Sequence, residues 1–398
     1  MAKKTKHFMS VESWIDEELK ELESKHLLRR ATAYPAAGGR VTIDGRAYLN
    51  FASNDYLGLA GHPDVVAASR RALEQYGAGA TASRLVAGTL PIHEELEQRL
   101  AAHKGYPAAL LFGSGFLTNM GMVPALVGRS DHVFADRLAH ASLMDAVTLS
   151  RASLHRFRHN DADHLGELLA KAPASGRKLV MTESIFSMDG DAAPLPDIAE
   201  RAEKYGAMLL VDEAHATGVF GPAGAGLTAE HNLAARTTLA MGTLSKGLGS
   251  YGGFVACSNS MRRWLIAQAR AFIYTTALPP AIAGASLGAL DVLERQPDLG
   301  RDLLRRAEAF RKNLQAAGLN TLKSSSQIVP VLVGDNERTL TLATRLREKG
   351  LIVAAIRPPT VPPGTARLRL SVTLAHAEAE LAAAAELIAN TAREAGAL

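Results

Sequence analysis

A lysine, several acids and two imidazoles stand just past short apolar runs of this chain. Val211-Asp212-Glu213-Ala214-His215 places a carboxylate and an imidazole three residues apart after one such run. Lys246 lies in the glycine-rich stretch Gly242-Thr-Leu-Ser-Lys-Gly-Leu-Gly249, three residues after the hydroxyl of Thr243. Gly113-Ser-Gly-Phe116 follows another run, and His140 with Ser142, and Glu183 with Ser187, follow two more. A lysine amine can form a Schiff base, acids and imidazoles can move protons, and a glycine turn opening a helix presents N–H groups to an anion. Each group also has a plainer alternative. Asp212 could cap a helix, His140 and His215 could be satisfied core histidines, Lys246 could be a solvated lysine, and one short glycine motif is a weak phosphate signature.

Such groups need a frame, and the hydrophobic pattern supplies it. Short apolar strands are expected at Ala108 to Phe112, His132 to Ala135, Leu154 to Phe157, Leu179 to Thr182, Ala207 to Val211, Thr238 to Met241 and Gly253 to Cys257. Helices fall between several of them, among them Leu90 to His103 and Asp197 to Tyr205. Continuous apolar strands alternating with helices predict an α/β domain around a mostly parallel sheet, whose functional groups gather at the carboxyl ends of strands. A charged lead-in helix is expected over Ser10 to Arg30, then strands Arg40 to Ile43 and Ala47 to Phe51 around Asp44-Gly45. After the helix Ala281 to Leu293 comes a smaller α+β unit: helices Leu303 to Ala317, Thr339 to Lys349 and Glu378 to Arg393 with strands Ile328 to Val333, Ile352 to Ile356 and Leu368 to Val372. The expected division is residues 1–55 as lead-in, 56–290 as the large domain and 291–398 as the small one.

Composition narrows the field. The chain has 398 residues, 47% hydrophobic and 21% charged, enough to bury a core and too apolar for a disordered chain. Its one cysteine, Cys257, has no partner for an intrachain disulfide, which suits a reducing compartment. A net charge of 44 − 40 = +4 is too diffuse to point to nucleic acid. Gly105 to Gly128 and Ala271 to Leu290 carry no charge, but glycine, proline and polar residues interrupt both, so no membrane span is expected. Lys3, Lys4 and Lys6 are not followed by an apolar signal core, and the expectation is a cytoplasmic protein.

Taken together, a lysine in a tight glycine loop and an acid at a neighbouring strand end are what a pyridoxal phosphate enzyme needs. The amine forms the Schiff base and the carboxylate keeps the pyridine nitrogen protonated. The motifs extend that reading. Asn54-Asp-Tyr-Leu-Gly-Leu59, Gly113 to Phe116, Asp136 to Ser142, Glu183 to Gly190, Val211 to Gly218 and Thr243-Leu-Ser-Lys246 resemble, in order, those of the α-oxoamine synthases. These are fold-type I pyridoxal phosphate enzymes, homodimers that join an amino acid to an acyl thioester. The resemblance runs from about residue 40 to 376.

The resemblance implies a role for each residue. Lys246 would carry pyridoxal 5'-phosphate and then act as base at the amino acid's Cα, aided by a pKa depressed by the cationic ring. Asp212 would pair with the ring nitrogen, His140 would stack on the ring and His215 would hydrogen-bond its phenolic oxygen. Gly115, Phe116, Thr243 and, from the partner subunit, Thr275 or Thr276 would surround the phosphate. Arg369, with Arg367 as rival, would take the amino acid carboxylate. Asn54, Arg29 (or its neighbour Arg30) and Thr360 would contact substrate, while Glu183 and Ser187 would position the acyl carbonyl, with Ser187 also near the cofactor. Val333-Gly-Asp-Asn336 and Ala355 to Leu370 resemble the branch condensing L-alanine with a pimeloyl thioester, carried by coenzyme A or an acyl carrier protein. Ser245 to Gly253 also resembles the branch that joins serine to a palmitoyl chain, which leaves the acyl chain open. A fold-type I aminotransferase would explain Asp212 and Lys246 but not Asn54 to Leu59.

Overall fold

The computed structural model describes residues 12–35 and 38–396. Seven strands form the central sheet, in the spatial order Ala108–Phe112, Gly253–Cys257, Leu239–Thr243, Met208–Asp212, Lys178–Glu183, His132–Asp136 and Ser153–Phe157. Gly253–Cys257 runs antiparallel to both its neighbours, and the other pairings are parallel. The strands are apolar along their whole length because helices cover both faces. Alternate residues feed two cores: Leu111, Phe134, Val180 and Val211 on one side, Leu110, Val133, Met181 and Leu210 on the other. The parallel register sets Glu183 beside Asp212 and Asp212 beside Met241, so the acids of two neighbouring strands end at the same edge.

Two smaller sheets complete the chain. Ile328–Gly334, Ala366–Ser371 and Ala354–Ile356 form an antiparallel sheet with Ala366–Ser371 in the middle. The hairpin Arg40–Ile43 with Arg46–Asn50 takes a third strand from far along the chain, Leu351–Ile352, in parallel register. One strand expected over Ile352 to Ile356 is therefore two. Leu351–Ile352 bonds to the early hairpin and Ala354–Ile356 to Ala366–Ser371, and Val353 is the corner between sheets.

The two uncharged stretches form strand and helix of the fold. The first holds strand Ala108–Phe112 and helix Gly115–Leu126, the second leads into helix Pro280–Arg295. Among the described residues no helix is long and apolar enough to cross a membrane. The lead-in helix is shorter than expected, Ser13–Ser24, and buries none of its residues. With no packing to extend it, it stops at Lys25 and His26, the latter in left-handed conformation. Ser10 and the lysines at 3, 4 and 6 lie outside the described residues.

Candidate active site

A cavity of about 160 Å³ opens at the carboxyl edge of the central sheet. Gly115, Phe116, His140, Glu183, Asp212, His215, Thr243 and Lys246 all line it, joined by Asn119, Ser142, Ala214, Met241 and Ser245. Eight residues singled out in the sequence thus meet in one place.

Backbone contacts bring the loops there. A Cβ on Gly247 would lie 2.4 Å from the carbonyl oxygen of Thr217, and Gly218, at φ +86°, packs on Gly247 in turn. Only glycine allows the lysine loop and the His215 loop to touch backbone to backbone. Gly253 does the same at the next strand end, where a Cβ would meet Thr118 Oγ1 at 2.3 Å and the Gly115 nitrogen at 2.7 Å. Helix Gly115–Leu126 therefore starts against the sheet, capped by Ser114, which accepts from the Leu117 N–H at 3.1 Å. Gly115 and Phe116 at its start line the cavity, and their N–H groups have no carbonyl of their own helix to bond.

Two hydrogen-bond networks hold the side chains. In the first, the Asn119 amide donates to Asp212 Oδ2 at 3.0 Å and to Ser142 Oγ at 2.9 Å, and Ser142 Oγ lies 2.8 Å from His140 Nδ1. The Ala214 N–H donates to Asp212 Oδ1 at 2.9 Å. In the second, Lys246 Nζ lies 2.9 Å from His215 Nε2, and His215 Nδ1 lies 2.6 Å from the Tyr56 hydroxyl. Arg369 donates to the Ser187 carbonyl at 2.6 Å, to Asn54 Oδ1 at 3.1 Å and to Ser371 Oγ at 2.9 Å.

The electrostatics follow from burial. Burial pushes Lys246 down to about 8; Asp212 opposes the shift and Arg369 adds to it. Desolvation is the main cause in the cofactor-free chain. Burial holds His215 well below the usual imidazole range, and Lys246 reinforces this. Glu183 is pushed well above the carboxylate range by burial and by the charge of Asp212 beside it. Its Oε2 accepts from the Ser187 N–H at 3.2 Å, while Oε1 is buried without a partner.

The remaining expected residues are placed as follows. Arg369 is buried and forms no ion pair among the described residues, whereas Arg367 is paired with Asp189 at 2.7 Å. Arg29 donates to Thr360 Oγ1 at 3.0 Å, with both residues exposed; Arg30 pairs instead with Glu23. Ser187 contributes its carbonyl and N–H, not a hydroxyl at the cavity. Thr275 and Thr276 are not brought to this cavity by their own chain; they line another recess with Arg84 and Phe112. Thr275 donates its hydroxyl to the Ala271 carbonyl, and Thr276 is exposed. Asn119 was missed, although a lone amide four residues after Gly115 in an apolar helix is a visible signal. Tyr56 was quoted within its motif without a role, and Gln327, which donates to the His215 carbonyl at 2.8 Å, carried no signal.

The donor set suits a flat, anionic aldehyde cofactor. An amine, a carboxylate, two imidazoles and a helix N-terminus surround one cavity, and Glu183 Oε1 is buried there with no hydrogen-bond partner among the described residues. Comparison with known proteins agrees. Residues 46–388 match the model of the aminotransferase class I and II family, and the chain belongs to that family. Within it, the chain is 47% identical to an 8-amino-7-oxononanoate synthase of Geobacter sulfurreducens, over 95% of this chain and 98% of that one. It is 49% identical to another from Anaeromyxobacter dehalogenans, over 92% of each. Among solved structures, a Sphingomonas wittichii serine palmitoyltransferase overlays with a TM-score of 0.92 at 31% identity, covering 98% of this chain and 99% of that one. An 8-amino-7-oxononanoate synthase from Francisella tularensis overlays at 0.76 and 28% identity, covering 87% and 98%.

Proposed function

We propose that this chain condenses L-alanine with a pimeloyl thioester to give 8-amino-7-oxononanoate, CO2 and the free thiol of coenzyme A or an acyl carrier protein, a step of biotin biosynthesis. The observation that carries the reading is the amine of Lys246 in one cavity with Asp212, His140 and His215, in a chain that matches the Geobacter synthase nearly end to end. Pyridoxal 5'-phosphate is the cofactor, and when bound it supplies an electron sink for the pair left at the amino acid's Cα.

The chain's own residues do the rest. Lys246 holds the cofactor, then takes the Cα proton of alanine; with a pKa near 8 about a tenth of it is free amine at neutral pH, where an ordinary lysine has almost none. Asp212, kept in place by Asn119 and the Ala214 N–H, holds a positive charge on the ring nitrogen. His140 and His215 would hold the ring. Gly115 and Phe116 through their N–H groups, and the Thr243 hydroxyl on leaving the Gly252 carbonyl to which it donates at 2.9 Å, would hold the phosphate dianion. Arg369, the buried guanidinium without a carboxylate, takes the carboxylate of alanine alongside Asn54. Glu183 keeps its proton and hydrogen-bonds the acyl carbonyl with it, aided by Ser187. A bond forms from Cα to that carbonyl carbon as the C–S bond breaks and the thiolate leaves to take a proton from water; the Cα–carboxylate bond then breaks to release CO2, and Lys246 returns to Cα the proton it took.

A homodimer belongs to the same reading. Leu85, Val86 and Tyr274 are 53%, 82% and 69% exposed beside Thr276, which bridges to Ser83. A second copy covering this face brings Thr276, or Thr275, to the phosphate of its partner's site. Arg29 and Thr360 contact the acyl substrate, and the enzyme works in the cytoplasm. The test is incubation with alanine, glycine or serine against pimeloyl and palmitoyl thioesters, reading thiol and CO2 release. Alanine with pimeloyl thioester is expected to win; serine with palmitoyl thioester, the pair suggested by the serine palmitoyltransferase overlay, would overturn the proposal.

A further inference from the structure

Tyr56 is fully buried, and its hydroxyl meets three groups. It lies 2.6 Å from His215 Nδ1, 3.2 Å from Asn54 Oδ1 and 3.4 Å from a guanidinium nitrogen of Arg369. Donor inventories decide how these contacts are made. A guanidinium only donates, so Arg369 gives a hydrogen to the phenol oxygen. An amide oxygen only accepts, and the phenol has one hydrogen to give, to Asn54 or to His215. Asn54 Oδ1 is already supplied by Arg369 at 3.1 Å, whereas Tyr56 is the one group bonded to His215 Nδ1 among the described residues. The shorter contact, aimed at the otherwise unsupplied atom, takes the hydrogen.

The consequence passes through the ring. A neutral imidazole that accepts at Nδ1 carries its hydrogen on Nε2, and Nε2 is 2.9 Å from Lys246 Nζ. Burial first, then Lys246, Arg369 and His140, disfavour a positive charge on His215, so the ring stays neutral. We propose that Tyr56 is a positioning residue for the catalytic lysine: by donating to His215 Nδ1 it fixes the ring hydrogen on Nε2 and aims it at Lys246 Nζ. The lysine must then accept, which it does only as the free amine. The other tautomer, with Nε2 bare, would instead accept from an ammonium and retain the proton on Lys246. Asp212, Glu183 and Arg369 are the charges that act on the amine; Tyr56→Phe leaves the two acids' contacts as they are and takes from Arg369 only its 3.4 Å contact to the phenol, its bonds to Ser187, Asn54 and Ser371 remaining. The motif Asn54 to Leu59 thus acts on the lysine through a hydroxyl 159 residues away in sequence from its histidine. This inference rests on Lys246 being the amine that captures the cofactor.

The test measures capture, not turnover. Full-length wild type and Tyr56→Phe, stripped of cofactor, are mixed with excess pyridoxal phosphate between about pH 6 and pH 10, and the rate of the imine absorbance is followed. Wild type should show a midpoint near 8. Tyr56→Phe should move the midpoint up by about one pH unit and reach the same rate at high pH, since one hydrogen bond is worth about 1 kcal/mol. An unmoved midpoint overturns the inference, even if the rates fall, because a structural role alone lowers rates without shifting ionisation. If the variant does not fold, 15N-histidine spectra of wild type decide, with His215 assigned through His215→Gln. A hydrogen on Nε2 supports the inference and one on Nδ1 overturns it. Neither alanine nor thioester takes part, so a wrong acyl substrate leaves this result standing. A wild type that captures no cofactor overturns the proposed function and this inference together.

Discussion

Two lysines lie near the end of strand Met208–Asp212, and their partners differ. Lys104 is fully buried in an ion pair with Glu213, whose carboxylate also accepts from the Thr228 N–H at 2.9 Å and hydroxyl at 2.7 Å. Lys246 is bonded to a neutral imidazole, while the nearby Asp212 is held by Asn119 and the Ala214 N–H. The adjacent acids Asp212 and Glu213 leave the strand end on opposite sides, as strand alternation requires. One side anchors, the other reacts. The same contrast recurs twice: Arg367 is paired with Asp189 where Arg369 has no carboxylate, and Arg30 is paired with Glu23 where Arg29 meets only a hydroxyl. In each pair, the cation without a carboxylate among the described residues is the one to which the proposed function gives a role.

The largest expected effect breaks the reactive side. Lys246→Ala should abolish the lysine-bound absorbance band and lower thiol release by at least about 10²–10⁴-fold, while leaving the cofactor-free chain folded. A retained band would remove Lys246 from its role. On the anchoring side, Lys104→Met leaves a buried carboxylate unpaired and should cost about 3–5 kcal/mol in urea unfolding of the cofactor-free chain. Its turnover per folded molecule should stay close to wild type. Lost turnover in a folded Lys104→Met chain would erase the distinction between the two lysines.

The pH dependence of stability sharpens the same distinction. Lys246 has its pKa lowered from 10.5 to about 8 in the folded cofactor-free chain, so between those values the unfolded chain binds more protons. Stability should therefore rise with pH across the window from about 8 to 10.5 and be penalised below it. Lys246→Met should flatten that rise. An unchanged slope in the variant would show that the amine is not desolvated.

How much of this was legible beforehand varies with what each element depends on. Ala108–Phe112 and Gly253–Cys257 were readable to the residue, because a strand buried on both faces is one apolar run bounded by turns. The break at Val353 was not, since the run Ile352 to Ile356 is apolar throughout and only its pairing partners divide it. The same holds in the site. Lys246 and His215 sit in loops, and Asp212 at a strand end, whose composition marks them, but the burial that lowers the lysine's pKa is tertiary. Tyr56, Asn119 and Gln327 are likewise defined by contacts across the fold, and the role proposed for Thr275 and Thr276 would need a second copy.

Smaller effects test the remaining cation pairs. Arg369→Ala should raise the KM for alanine about 10–100-fold, the worth of a charged hydrogen-bonded pair, whereas Arg367→Ala should leave it near wild type. The smallest difference is expected at the rim. Arg29 is exposed and meets only the Thr360 hydroxyl, so it is free to turn to a substrate, but water screens what it finds there. Arg29→Ala should raise the KM for the pimeloyl thioester by no more than about fivefold, an effect that shrinks as salt is added, with the KM for alanine unmoved. Arg30, already paired with Glu23, should give less in the same assay. A larger effect from Arg30→Ala would mean that a surface ion pair does not tell a structural cation from a functional one, and the rule drawn from the two lysines would then hold only where the charges are buried.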